Sequence, residues 1–130
     1  MSAPISDDAT ELTVTCVCRD ELAVVSVTGE LDADSGPLLH VHLANQLAHG
    51  RRHLIVDLRG VPFMDSSGLN VIIRAMRETT LAGGSLALAA PTPAVNQLFR
   101  LTGINLTHPV HADVESAIAA LGLEPMGVPG

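Results

Sequence analysis

A chain of 130 residues is long enough for one domain around one core, and 47% hydrophobic residues place it among packed globular proteins rather than disordered ones. Aromatics make up 2%, with no Trp or Tyr, so the core has to be built from Leu, Val, Ile and Ala. The net charge is −7, Lys is absent, and Arg51-Arg52 is the only adjacent basic pair, which argues against nucleic-acid binding and against an anionic membrane surface.

Residues 1–10 are polar, contain Pro4 and are expected to be frayed. The polar, acidic start carries no signal-peptide pattern, and no apolar run approaches membrane-spanning length. Residues 12–18 and 23–28 read as two strands of a hairpin around Arg19-Asp20-Glu21. Cys16 and Cys18 fall two apart on the first strand and so share a face. A disulfide between them would be strained, so core-facing free thiols in a reducing cytoplasm are expected. A helix follows over 35–48, with Leu39, Leu43 and Leu47 at intervals of four, Pro37 in its first turn and Gly50 closing it. Residues 53–58 form an apolar run without alternation, the pattern of a strand buried on both faces.

The next helix spans 67–82, with Leu69, Ile72, Ile73 and Met76 inward. Asn70, Arg74, Arg77 and Glu78 lie on its wet face, with Arg74 and Glu78 at pairing distance. Gly83-Gly84 ends it, and 85–89 is another buried strand. Thr92-Pro93 opens a third helix with Val95, Leu98, Phe99 and Thr102 inward, stopped by Gly103. Residues 106–110 read as a Pro-interrupted edge strand. Asp113 caps a last helix through Leu121, ended by Gly122. The fold class is therefore α/β, with element order β-β-α-β-α-β-α-β-α. One mostly parallel sheet with an antiparallel hairpin strand at its edge is expected, its parallel crossovers right-handed. The domain is expected to span 11–122, with flexible ends at 1–10 and 123–130.

The chemistry concentrates at Gly60-Val61-Pro62-Phe63-Met64-Asp65-Ser66-Ser67-Gly68-Leu69. A strand breaks, and a short loop presents an acid and two hydroxyls to a helix N-terminus, whose first N–H groups lack internal partners. Such a place holds a serine well, and equally a phosphate. On local chemistry Ser66 serves as the N-cap, with Ser67 equally suited. Asp65 forms the turn. Gly68 permits a tight helix start and close approach of another backbone. Phe63 and Met64 suit a hydrophobic staple. No Cys or His set has zinc spacing, and no Gly-x-Ser-x-Gly elbow is present, so neither a metal site nor an enzyme with a serine nucleophile is expected.

The element order, together with Gly29-Glu30-Leu31-Asp32, Val56-Asp57-Leu58 and Met64-Asp65-Ser66-Ser67-Gly68-Leu69, resembles the STAS domain family over residues 12–121. Gly83-Gly84, Pro93-Ala94-Val95 and Leu101-Thr102-Gly103 continue the match. Within the family it is most similar to bacterial anti-sigma factor antagonists. The resemblance implies a β-α superhelix and a partner switch. The unphosphorylated form binds an anti-sigma factor with serine kinase activity and so frees a sigma factor. The kinase phosphorylates the serine after the loop aspartate, here Ser66, and a serine phosphatase restores binding. It further implies that Asp32 lies on the same rim and contacts the partner. Asp65 would orient the hydroxyl or meet the kinase, and Ser67, Gly68, Asn70 and Arg74 complete the partner-binding set. Asn70 stands where many members have a second glycine. No cofactor is implied, and a cytoplasmic monomer is expected. The alternative is a non-enzymatic STAS scaffold within a larger stress-signalling complex.

Overall fold

The computed structural model describes residues 12–126. The expected frayed segment 1–10 and the last four residues of the expected flexible tail lie outside the described residues. The elements are β1 (Thr13–Arg19), β2 (Leu22–Thr28), α1 (Gly36–Ala48), β3 (His53–Gly60), α2 (Ser66–Leu81), β4 (Ser85–Ala89), α3 (Pro93–Thr102), α4 (Ile104–Thr107), β5 (Val110–His111) and α5 (Val114–Ala120). They form a five-stranded sheet in the order β1-β2-β3-β4-β5. Strand β1 runs antiparallel to β2, and the remaining neighbours are parallel. The predicted α/β architecture with its edge hairpin is thus the observed one.

Alternation along β2 and β3 divides the core. Ala23, Val25, Val27, Leu54, Val56 and Leu58 point to one face, where α1, α2 and α3 pack through Leu39, Leu43, Ile72, Met76 and Phe99. Leu22, Val24 and Ile55 point to the other and are covered by Ala117 and Ile118 of α5. Residues 123–126 belong to this smaller core, because Leu123 and Met126 pack on it and the Arg19 guanidinium donates to the carbonyls of Glu124 and Pro125.

Three local expectations are corrected. The edge strand predicted over 106–110 is only Val110–His111, and residues 104–107 make the short helix α4 after Gly103, which adopts φ +78°. Pro109 has no N–H for a ladder, and its carbonyl serves instead as acceptor for Leu88 N–H at 3.1 Å. Thr102 is exposed rather than inward, its hydroxyl donating back to the Leu98 carbonyl at 2.9 Å. Helix α2 begins one residue earlier than predicted, at Ser66.

What places the loops is backbone pairing that continues beyond the ends of β2 and β3. Gly29 N–H donates to Gly60 O at 2.9 Å, Leu31 N–H to Phe63 O at 3.0 Å, and Asp65 N–H to Leu31 O at 3.2 Å. Leu31 and Met64 form a parallel bridge, and both side chains are buried. The start of α2 then presses on the same loop: a Cβ at Gly68 would stand 2.3 Å from the Leu31 carbonyl oxygen. Gly68→Ala therefore has to separate the two loops. It is expected to destabilise the protein by about 1–3 kcal/mol, the usual cost of overpacking, read as a lowered urea midpoint with an unchanged slope.

Candidate partner-binding site

Asp65 caps α2. Its backbone is extended, and its carboxylate accepts the Gly68 N–H at 3.0 Å. Ser66, predicted as the cap, is instead the first helical residue, and it is exposed. Among the described residues its hydroxyl makes no hydrogen bond. The reason is positional: the residue with extended backbone just outside the helix aims its side chain at the free N–H groups, whereas one residue later the side chain has turned away. Met64 and Leu69 are buried in the same core cluster on either side of this turn, as a staple requires. Phe63, predicted with Met64 as part of that staple, is 50% exposed. It is an open aromatic on the rim of the serine loop, a surface feature that its neighbours in sequence did not announce.

The loop from Glu30 to Ser35 forms the adjoining wall. Asp32 Oδ1 accepts the N–H groups of Asp34 and Ser35, each at 3.0 Å, and lies 3.1 Å from the Ser35 hydroxyl oxygen. The Ser35 hydroxyl accepts the Asp32 N–H at 3.0 Å and donates to Glu30 O at 2.8 Å. The hydrogen bonds from Ser35, backbone first and then side chain, hold the Asp32 carboxyl below its ordinary range. The Leu31 pairing brings this wall beside Asp65, so the two predicted acids share one rim.

Helix α2 extends the surface away from the rim. Ser66, Asn70 and Arg74 recur at intervals of four and are all exposed, so they line one stripe of the helix. Arg77 is exposed three residues further on. Ser67 is half-buried. Gly68 is buried, and the backbone that approaches it is this chain's own Leu31. The predicted Arg74–Glu78 pair is not formed. Glu78 Oε1 lies 2.8 Å from His40 Nε2 of α1, because the inter-helix packing offers it a less exposed partner. That leaves Arg74 without an ion pair among the described residues. The thiol expectation is corrected in part. Cys16 packs against the core and Cys18 is exposed, both as free thiols. Among the described residues no group of three or more His, Cys, Asp or Glu could hold a metal ion, and no helix is long and apolar enough to cross a membrane.

A family model for the STAS domain matches residues 13–117. The chain belongs to the STAS domain family. The anti-sigma-B factor antagonist of Bacillus subtilis (strain 168) is 32% identical over 94 residues, which cover 72% of this chain and 85% of that protein. The crystal structure of an anti-sigma factor antagonist from Mycobacterium paratuberculosis superposes with a TM-score of 0.78 at 29% identity, covering 94% of this chain and 99% of that one. The Bacillus protein SpoIIAA shares the fold at 24% identity. Its unphosphorylated form gives a TM-score of 0.73 over 85% of this chain and 96% of that one, and its phosphorylated form 0.66 over 84% and 99%. The STAS fold and the anti-sigma factor antagonist relatives agree with the motifs that carried the resemblance.

The geometry assigns the cap and the free hydroxyl to different residues of this STAS domain. Asp65→Ala is expected to cost about 1 kcal/mol, while Asp65→Asn retains most of that. Ser66→Ala is expected to stay within about 0.5 kcal/mol of the parent, all read by chemical denaturation. The depressed Asp32 carboxyl stabilises the fold at pH values above its unfolded pKa. That contribution disappears as pH falls through the lower, folded value. The stability difference between the parent and Asp32→Asn is therefore expected to be constant near neutrality and to shrink in acid, measured by urea melts at successive pH values.

Proposed function

We propose that this protein is an anti-sigma factor antagonist whose Ser66 is the phosphoacceptor of a partner switch. Unphosphorylated, it binds an anti-sigma factor that is also a serine kinase and thereby releases a sigma factor. Phosphorylation of Ser66 ends that binding, and a serine phosphatase restores it. The observation that carries the reading is the exposed, unbonded Ser66 hydroxyl at the first position of α2, with Asp65 already occupied as the cap. A kinase can take such a hydroxyl without breaking a structural hydrogen bond. The relatives named above as anti-sigma factor antagonists support the partner class. SpoIIAA, described in both phosphorylated and unphosphorylated forms, supports the state change in a protein of this fold.

A phosphate on Ser66 adds about −1.5 to −2 charges. The N-terminal dipole of α2 favours it, so the scaffold persists. Asp65 and Asp32 on the same rim make the surface strongly anionic, and a partner fitted to the neutral serine is excluded by charge and bulk. The contact surface comprises Asp32, Asp65, Ser67, Asn70 and Arg74, with Phe63 as an apolar anchor at its edge. Gly68 acts from beneath by keeping the loops in place. The protein acts by binding rather than catalysis. This is supported by the histidines, whose ring nitrogens, where bonded, reach Glu78, Asn45, Ser85 and Thr107 rather than Ser66. With no catalytic demand and free thiols, the cytoplasm is the compartment that fits.

The test is intact mass with site mapping after incubation with ATP and each serine-kinase anti-sigma factor of the source genome. One phosphate on Ser66 is expected, absent in Ser66→Ala. By calorimetry, Ser66→Ala is expected to bind like the parent, Ser66→Glu at least tenfold more weakly, and Phe63→Ala about tenfold more weakly. Backbone chemical shifts should change on phosphorylation only near the loop. A stable complex without any phosphate would replace the switch by a scaffold.

A further inference from the structure

The sheet ends differently at its two edges. Strand β5 has two residues and is preceded by Pro109, and short strands and prolines are how natural sheets blunt an edge. Strand β1 has seven residues and pairs with β2 at every position from Thr13 to Arg19, without a register shift. Among the described residues it has no ladder partner on its other side, so a row of backbone N–H and C=O groups is left open. Thr13, Thr15, Val17 and Cys18 are exposed along it. The strand contains no Pro, no Lys and no acid. Its one charged side chain, Arg19, is turned to the carbonyls of Glu124 and Pro125. The long edge therefore lacks the bulge, proline and exposed lysine that ordinarily prevent pairing.

We propose that β1 is a self-association edge, to which a second copy of this chain adds its own β1 antiparallel across a twofold axis, in place of the monomer expected from sequence. Full overlap of the strand puts Cys16 on the axis, with Thr13 of one copy opposite Arg19 of the other, Val14 opposite Cys18, and Thr15 opposite Val17. Each pair shares a face, and no like charges meet. Charge selects this edge for a second copy. Two chains of net charge −7 repel wherever their acids face each other, and β1 contributes no acid. At the hairpin turn beyond the overlap, the Glu21 carboxylate has Arg52 Nε at 4.0 Å. Residues 1–11 lead into β1 and are the competing occupant. Pro4, Asp7, Asp8 and Ala9 are types depleted from strands, and Pro4 has no N–H to donate. Pairing through the same strand in both copies is isologous and closes at two. It joins two five-stranded sheets through one row of backbone hydrogen bonds. The twofold axis reverses the strand direction, so the two serine rims point to opposite ends and both Ser66 hydroxyls stay open.

The test is sedimentation velocity of the full chain under reducing conditions from about 1 μM to about 1 mM, with hydrogen exchange of the β1 amides at both ends of that range. A monomer–dimer equilibrium with its midpoint inside the range is expected, and the β1 amides should exchange more slowly only in the concentrated sample. Thr15→Lys combined with Val17→Lys puts like charges directly opposite across the axis at two exposed positions. It should raise the dissociation constant about tenfold or more while keeping the circular dichroism of the parent. Ser66→Ala should dimerise like the parent. The proposal is overturned if the parent stays monomeric throughout or if the double variant self-associates equally well. It is also overturned if the β1 amides are equally protected at both concentrations, the result expected when residues 1–11 cover the edge. None of these outcomes depends on whether Ser66 is phosphorylated.

Discussion

The backbone pairing of Leu31 with Met64 is the constraint on which the rest of the site depends. Parallel strands ordinarily separate once their ladders end, and each chain leaves for its own helix. Here the ladder resumes after a gap, so the loops following β2 and β3 stay hydrogen-bonded to each other. The peptide groups that would otherwise need water are satisfied, and two apolar side chains fall into the core beneath. Asp32 and Asp65, more than thirty residues apart in sequence, become neighbours. The demand this makes on α2 is a residue without a side chain at position 68, where helix and loop touch backbone to backbone.

On top of that rigid base, two adjacent residues divide the labour. Asp65 closes the helix, and among the described residues the Ser66 hydroxyl beside it makes no hydrogen bond. A charged modification of Ser66 therefore changes the surface and leaves the scaffold to Asp65. The exposed stripe of Ser66, Asn70 and Arg74 presents a mixture of hydroxyl, amide and cation. Arg74 is available because Glu78 is engaged by His40 across the α1–α2 interface.

The third acid quoted with the family motifs has a different task. Asp57 is nearly buried on the α5 face of the sheet, away from the serine rim. It accepts the Arg59 N–H at 3.1 Å and the Arg59 guanidinium at 3.3 Å, and the Ser26 hydroxyl stands 3.4 Å away. Burying a carboxylate is costly unless it finds such hydrogen-bond partners. Its role is to hold the ends of β2 and β3 in register just before the paired loops begin, which is a structural contribution to the site from beneath.

The sequence alone determined the α/β class, the element order apart from the short helix α4, and the stretch that carries the chemistry. It could do so because these depend on local signals: unbroken apolar runs such as residues 86–90, leucines four apart in α1, and Thr92, Asp113 and the glycines at helix ends. It also pointed to Ser66, through a motif whose residues are contiguous. Tertiary structure decided everything that required two distant segments to meet. Which of Asp65 and Ser66 caps the helix depends on where the backbone turns, and the Leu31 pairing sets that turn. Whether Glu78 pairs with Arg74 or His40 depends on what α1 brings to it. Phe63 is exposed because Val61 and Met64, on either side of it in the loop, take the inward places. Residues 106–110 carried a strand pattern, but Pro109 could not complete a ladder, and the chain used Gly103 to start another helical turn. Local propensity specifies what a segment prefers. The partner across the contact decides which preference is satisfied.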